Sequence, residues 1–300
     1  MKRRHFLASI APAAGAVLAG CSNAGQDDEA GDSGLVQILA STNVYGDIAK
    51  AVGGEAVAVT SIITSAAQDP HEYEASTQER LALDEAGVVV MNGGGYDAFM
   101  DTLLEAAPVD IPILNAVEIS YGSEQPEGFN EHVWYDLEAV DAVAKELSST
   151  LAELDPANAE AFTQNYEAYA EELSALRQTA TDLSATASGR SVALTEPVPV
   201  YLLEAVGLEN VTPEEFSEAV EEGADVPPRA LQETLDLFGD ADIALLAYNA
   251  QTEDGTTERV REAADEAGVP VVDFTETLPE GQSYVQWQQS NLDNLAAALG

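Results

Sequence analysis

Apolar positions recur along this chain in two alternating rhythms. The runs LVQILAST (35–42), AVAVTSII (56–63) and GVVVMN (87–92) are short, β-branched and bounded by polar residues, as strands are. Between them YGDIAKAVGG and STQERLALDEAG carry helical spacing and close on glycine. NGGGYDAFMDTLLEAA then reads as a glycine turn opening a helix, and IPIL as a further strand. From Leu137 to about Ser188 the strand rhythm stops. Beyond the Asp155-Pro156 break, which suits a helix start, Phe162, Tyr166, Tyr169, Leu173, Leu176, Ala180 and Leu183 recur at steps of four and three residues. A helix over 157–186 would be about 45 Å long, enough to run the length of a two-domain body. A coiled-coil dimerisation helix is the alternative, although the stripe offers only about four heptads and carries two tyrosines. After Gly189 the alternation resumes. Strand SVALT (191–195), a helix through VYLLEAVG, a polar loop and a helix in PRALQETLDLFG lead to strand DIALLAY (242–248). Helix TTERVREAADEAG, strand VPVVDF and helix QWQQSNLDNLAAAL close the chain.

Strand-helix alternation implies mostly parallel, buried sheets. The expected fold is α/β: two lobes, each with a mostly parallel β-sheet flanked by helices, joined by one long backbone helix. The lobes are placed at 35–155 and 189–300 and the linking helix at 156–188. Ligands of such proteins favour strand carboxyl ends and domain interfaces, so a cleft between the lobes is the expected site.

The amino terminus, MKRRHFLASIAPAAGAVLAGCSN, adds a basic start and a short apolar segment, too short for a stable membrane span. Arg3 and Arg4 before His5, Phe6 and Leu7 resemble a twin-arginine leader, and Leu18-Ala19-Gly20-Cys21 resembles a lipobox, giving a signal peptide over 1–20 and lipidation at Cys21. An ordinary secretory signal with an incidental cysteine is the plainer reading. Cys21 is the only cysteine, which excludes disulfides and thiolate metal sites. The small, acidic stretch to residue 34 cannot bury enough surface to order itself and reads as a tether. It would hold an exported body at the outer face of the cytoplasmic membrane.

The formal net charge is −43, from 54 acidic and 11 basic residues, three of the latter in the leader. Such a charge excludes nucleic acid as a partner, while 46% hydrophobic residues in regular patterns exclude a disordered acidic chain. Only Lys50 and Lys145 remain as lysines in the body. A halophilic surface, kept soluble by charge in concentrated salt, fits this composition.

Beyond His5 in the leader, the histidines are His71, in SAAQDPHEYEAST, and His132, in FNEHVWYDL. Both sit in carboxylate-flanked, aromatic-containing loops of the first lobe, His71 after a strand and His132 before a helix start. In the second lobe Glu196 directly follows strand SVALT and Glu276 follows strand VPVVDF. Position alone would leave each glutamate one solvated acid among many, and each histidine a surface or packed residue.

The stretches DPHEYEAS, NGGGYDAFMDTLL, EHVWYDLEAV with the long helix after it, TEPVPVYLLEAVG and the segment from YNAQTEDG to the end run in order from about residue 35 to 300. Together they resemble the metal-binding solute-binding lipoproteins of zinc and manganese ABC importers (the cluster A-I family). That resemblance implies a binding protein rather than an enzyme, a monomer with small lobe motions, and an ABC permease with its ATPase as partners. It puts the metal ligands on His71, His132, Glu196 and Glu276. Three positions depart from the family pattern. Ala75 and Glu131 stand where proline is usual, and Glu276 stands where many members have aspartate, with Glu280 and Asp273 the nearest substitutes. The histidine-rich acidic loop of many zinc-specific members has no counterpart.

Two imidazoles and two carboxylates form a mixed nitrogen and oxygen set of charge about −2 that suits a divalent ion. Two carboxylates able to bind through both oxygens favour Mn2+, with Zn2+ next and Fe2+ a further candidate cargo. Because ligation needs neutral imidazoles, affinity is expected to fall as pH drops through about 6.5. The alternatives from other classes are a metal-dependent hydrolase, against which stand four protein ligands and the lack of an HExxH spacing, and a metal-linked surface adhesion module.

Overall fold

The computed structural model describes residues 34–300, apart from positions 72, 108, 127 and 241. The leader, Cys21 and all but the last residue of the tether lie outside the described residues. No helix among the described residues is long and apolar enough to cross a membrane.

The first half runs β1 (Val36–Thr42), α1 (Asn43–Gly53), β2 (Val57–Ile63), α2 (Thr77–Glu85), β3 (Val88–Met91), α3 (Ala98–Ala106), β4 (Ile113–Asn115) and α4 (Ala116–Tyr121). Helices α5 (Leu137–Leu154) and α6 (Ala159–Ala187) follow. The second half runs β5 (Ser191–Leu194), α7 (Val200–Ala205), β6 (Glu209–Asn210), α8 (Glu214–Glu221), α9 (Pro228–Asp240), β7 (Ile243–Asn249), α10 (Gly255–Ala267), β8 (Val271–Phe274) and α11 (Tyr284–Leu299).

The strands form two four-stranded sheets, ordered β2-β1-β3-β4 and β6-β5-β7-β8, with every pairing parallel. Parallel sheets are covered on both faces, which is why β3 reads VVVM, buried throughout, instead of alternating. In both sheets the order reverses beside the first strand, so the loops after the central strands open a crevice at their carboxyl ends.

One apolar core is continuous across both sheets. It takes Ile38 and Val90 from the first, Leu194 and Leu245 from the second, and joins them through α1, α5, α6 and α11. The outer faces are covered separately, Leu39, Val89 and Met91 against Phe99 and Met100, and Ala193, Leu246 and Tyr248 against Phe216 and Phe238. On α6 the expected stripe is real, but Phe162, Tyr169, Leu173, Leu176 and Ala180 are buried within this chain. Its partners are α1, α5 and α11, so the stripe is not free to pair as a coiled coil.

Hydrogen bonds add to the joint between the lobes. Asn43 exchanges two with the backbone of Leu278, at 2.9 and 3.0 Å. The Tyr284 amide donates to Asp47 at 2.7 Å, the Tyr284 hydroxyl to the Trp134 carbonyl at 2.6 Å, and the Tyr135 hydroxyl to the Thr275 carbonyl at 2.7 Å. Wide hinge opening would break this packing, which favours small motions.

The structure corrects one expectation that bears on the site. The supposed polar loop before PRALQETLDLFG contains α8. Phe216, fully buried, and Val220, one turn further on, anchor the helix, while Glu214 and Glu215 in its first turn complement the positive end of the helix dipole. Eight residues rich in acid show too little apolar periodicity to be recognised alone.

Candidate metal centre

The N-terminal half supplies two imidazoles. His71 follows β2 in a turn closed by Asp69, whose carboxylate accepts the His71 amide at 2.9 Å. The turn leads to Ser76, which caps α2 in a reciprocal pairing with Glu79. His71 itself stays exposed. His132 is fully buried at the start of a single helical turn, Val133–Tyr135.

The NGGGYD stretch explains how the two are held. Asp97 accepts the backbone amides of Asn92 and Gly93 at 2.7 and 2.8 Å. The Asn92 side-chain amide then donates to the Glu131 carbonyl at 2.9 Å, tying down the residue before His132. Gly93, at φ 77°, lies so close to Asn115 that a Cβ would sit 2.1 Å from its side-chain oxygen. The turn thus delivers Tyr96, whose ring meets His71 edge-on at 5.2 Å and His132 at 5.9 Å. Asn130 fixes the second imidazole. Its amide nitrogen donates to the Pro197 carbonyl at 2.9 Å, so its oxygen is the acceptor 2.7 Å from His132 Nδ1. A proton on Nδ1 leaves the Nε2 lone pair free to ligate.

The C-terminal half supplies carboxylates. Glu196, after β5, and Glu276, after β8, are both buried, and Asn249 at the end of β7 donates to each of them at 2.8 Å. The second oxygen of Glu196 accepts the Thr252 hydroxyl. The second oxygen of Glu276 is buried and makes no well-formed hydrogen bond, although the buried Tyr96 hydroxyl is close enough to lower its pKa. Gln251 positions the Glu276 loop, accepting the amides of Glu276 and Thr277 at 2.7 and 2.9 Å. Neither nearby substitute competes: Asp273 pairs with Arg261 at 3.0 Å, and Glu280 is exposed.

Donor atoms of His71, His132 and Glu276 lie within 4.8 Å of one another. Glu196 is not in that set and is joined to it through Asn249. A second set, His71, Glu131 and Glu221, meets the same distance limit. Glu131 was legible in the sequence only as a departure from the usual proline. Glu221, with Asn249 and Thr252, was not singled out at all.

The electrostatics suit a cation. Burial, and after it the charge of His71, push His132 down to about 3, so it is neutral at ordinary pH. Burial, then Glu196, push Glu276 up to about 7, while burial raises Glu196. Burial, followed by Glu131 and other carboxylates, lifts Glu221 to about 9. The 3.4 Å approach of Glu221 to His132 Nε2 therefore joins two neutral groups and is no ion pair. A cavity of about 1090 Å3 opens over the site, lined by eight acidic side chains and no lysine or arginine. Acidic walls of this kind concentrate cations. Outside that lining the unpartnered His132 Nε2 and Glu276 Oε2 cost desolvation without return, and a metal ion would satisfy both.

Two parallel α/β lobes with imidazoles from one and carboxylates from the other define a substrate-binding protein for a metal ion. Residues 38–298 match the model of ZnuA, zinc-uptake complex component A, periplasmic, and the chain belongs to that family. Its members are substrate-binding proteins of transporters, not enzymes. The manganese-binding lipoprotein MntA of Halalkalibacterium halodurans is 26% identical over 289 residues, 94% of each chain. The manganese ABC transporter substrate-binding lipoprotein PsaA of Streptococcus pneumoniae is 28% identical over 153 residues, 47% of this chain and 48% of that one. Among solved structures, FpvC of Pseudomonas aeruginosa in complex with Mn2+ is 25% identical with a TM-score of 0.73, covering 88% of this chain and 98% of that one. The periplasmic zinc-binding protein TroA of Treponema pallidum, 20% identical over 89% of this chain and all of that one, shares the fold with a TM-score of 0.73.

Proposed function

We propose that this chain captures a divalent transition metal ion in its interlobe cleft and delivers it to an ABC permease powered by its ATPase. The observation that carries the reading is the convergence of His71, His132 and Glu276, whose donor atoms lie within 4.8 Å of one another beside a cleft lined by acids and no lysine or arginine. These three are the ligands, and Glu196 is the fourth. Each Glu196 oxygen accepts a hydrogen bond, yet a carboxylate oxygen with one such bond keeps a further lone pair. Mn2+ is the favoured cargo, Zn2+ next and Fe2+ third, because the donors are half oxygen and include no thiolate. The names of MntA and PsaA agree with that order, and the family's name keeps zinc close behind.

The rest of the assignment rests on the sequence. A signal peptide over 1–20 exports the chain, a lipid on Cys21 anchors it to the outer face of the cytoplasmic membrane, and 21–34 is the tether. The lobes at 35–155 and 189–300, linked through 156–188, act as a monomer. The acidic surface suits concentrated salt.

The test is competitive titration of the metal-free protein in high salt, Mn2+ against Zn2+, with His71→Ala and His132→Ala alongside. One tight equivalent, lost in both variants, is the expected result. No tight equivalent, or binding untouched by either substitution, would sink the proposal.

A further inference from the structure

His132 is held by a neighbour that is itself held from the other half of the molecule. The Asn130 side-chain oxygen accepts the His132 amide at 3.0 Å and stands 2.7 Å from His132 Nδ1. The Asn130 side-chain nitrogen donates to the Pro197 carbonyl at 2.9 Å, and the Asn130 carbonyl accepts the Tyr201 hydroxyl at 2.6 Å. Both anchors belong to the C-terminal half, 67 and 71 residues further along the chain. Residues 128–132 lie in no helix or strand, so regular backbone pairing does not fix Asn130 and the bonds across the cleft must. The orientation matters. An Asn130 free to turn over would offer its NH2 to Nδ1, the ring proton would move to Nε2, and the lone pair that a metal needs would be lost.

The segment that supplies both anchors also carries Glu196. It leaves β5 as Glu196-Pro197-Val198-Pro199 and enters α7, with Tyr201 in the first turn. Each proline fixes its own φ and restrains the residue before it, so the backbone over 196–199 has little freedom. Val198 is fully buried in the core shared by the two sheets, and the Pro197 carbonyl also accepts the Val200 amide at 3.2 Å. One stiff turn thus holds a proposed ligand at its start and the supports of another along its length. The Tyr201 ring lies 6.0 Å from that of Tyr121, which meets Phe129 edge-on at 5.2 Å, so the residue before Asn130 is braced by the same aromatic group. Phe129, Asn130, Pro197 and Val200 line the cavity, which puts this joint in the wall of the cleft.

From this we infer that Tyr201 is a positioning residue for the metal site: with the Pro197 carbonyl, and through Asn130, it keeps the His132 Nε2 lone pair open while the two halves are in register. Slippage of the 196–201 turn would displace Glu196 and release Asn130 in one motion, so the halves hold the ion jointly and give it up jointly. The inference rests on the site proposed above, and the experiment separates the two.

The measurements are Mn2+ titration and a chelator chase of the Mn2+-loaded full chain in high salt, with 15N NMR of the histidine side chains in the metal-free chain. Tyr201→Phe keeps the ring and removes only the hydroxyl. It should weaken Mn2+ binding by about fivefold, the worth of one neutral hydrogen bond, and speed Mn2+ loss in the chase by a similar factor. The His132 nitrogens should show the proton on Nδ1 in the parent chain and a larger share on Nε2 in Tyr201→Phe. In an Asn130→Ala background the same substitution should change affinity by less than about twofold, because the path runs through that side chain. Tyr166→Phe removes another half-buried hydroxyl, one bonded to Asp141, and should leave affinity unchanged. Unchanged affinity in Tyr201→Phe, an equal loss in the Asn130→Ala background or in Tyr166→Phe, or a His132 tautomer that stays put while affinity falls, overturns the role of Tyr201 and leaves the metal site standing. Tight binding that survives His132→Ala overturns the site reading itself.

Discussion

The two halves carry sheets of the same strand order, yet they prepare their donors in different ways. In the N-terminal half the imidazoles are set by rings and turns: Tyr96 packs against both, and one amide oxygen, from Asn130, fixes the tautomer of His132. In the C-terminal half the carboxylates are set by an amide network, with Asn249 shared between Glu196 and Glu276 and Gln251 holding the Glu276 backbone. A neutral imidazole can be buried with one hydrogen bond and its lone pair left free. Two neighbouring buried carboxylates cannot, because burial raises both, Glu196 raises Glu276 further, and both need donors. In the proposed site the histidine side is thus ready for metal as built, and Glu276 is the group that would shed a proton to receive it.

The largest break in this comparison comes from removing a prepared imidazole. His132→Ala should weaken Mn2+ binding by more than about 100-fold, since even the partners of ligands are worth 10–100-fold; calorimetry in high salt measures it. Taking away one amide in each half sharpens the contrast. Asn130→Ala and Asn249→Ala should each cost about 10–100-fold, with Asn249→Ala the more damaging because it strips a donor from two carboxylates at once. Equal losses would mean that the halves are less different than their networks suggest.

Acidity tests the same division with a smaller effect. In the proposed site metal would compete with the proton on Glu276, which burial and Glu196 push up to about 7, while His132, at about 3, offers no competition above that pH. Apparent Mn2+ affinity should therefore fall by about tenfold per pH unit below 7 from this group, and Glu276→Gln should reduce that slope. The sign for folding is opposite. A carboxyl raised from 4.5 to about 7 holds its proton more tightly when folded, so its contribution to stability of the metal-free protein declines as pH rises from about 4.5 to 7. Melting temperatures with and without Mn2+ at pH 6 and 8 read both signs. The smallest effect is at the His71 side. Ser76→Ala removes the α2 cap and should cost about 1 kcal/mol of stability, measured by denaturant unfolding, with metal affinity little changed because the Asp69 turn holds His71 independently.

The expected fall in affinity near pH 6.5 came from the need for neutral imidazoles. Burial takes His132 out of that competition above about pH 3 and adds Glu276 to it, and no pattern in the sequence carries the depth of a buried side chain. The two glutamates differ for a related reason. Glu276 is the one that departs from the family's usual aspartate, yet it has the orphaned oxygen, while Glu196 is engaged by Asn249 and Thr252.

The sequence by itself determined every strand among the described residues but the two-residue β6, the long α6 stripe, the turns that present His71 and His132, and the carboxylates at two strand ends. These depend on local period, turn chemistry and residue type, all of which act over a few neighbouring positions. Only the tertiary structure decided which oxygen is left unpartnered, which protons are hard to lose, and that Glu221, in a helix too short and too acidic to read, reaches His132 across the cleft. Those properties depend on burial and on contacts between segments far apart in the chain, where the energy of a polar group is set by what folding places beside it.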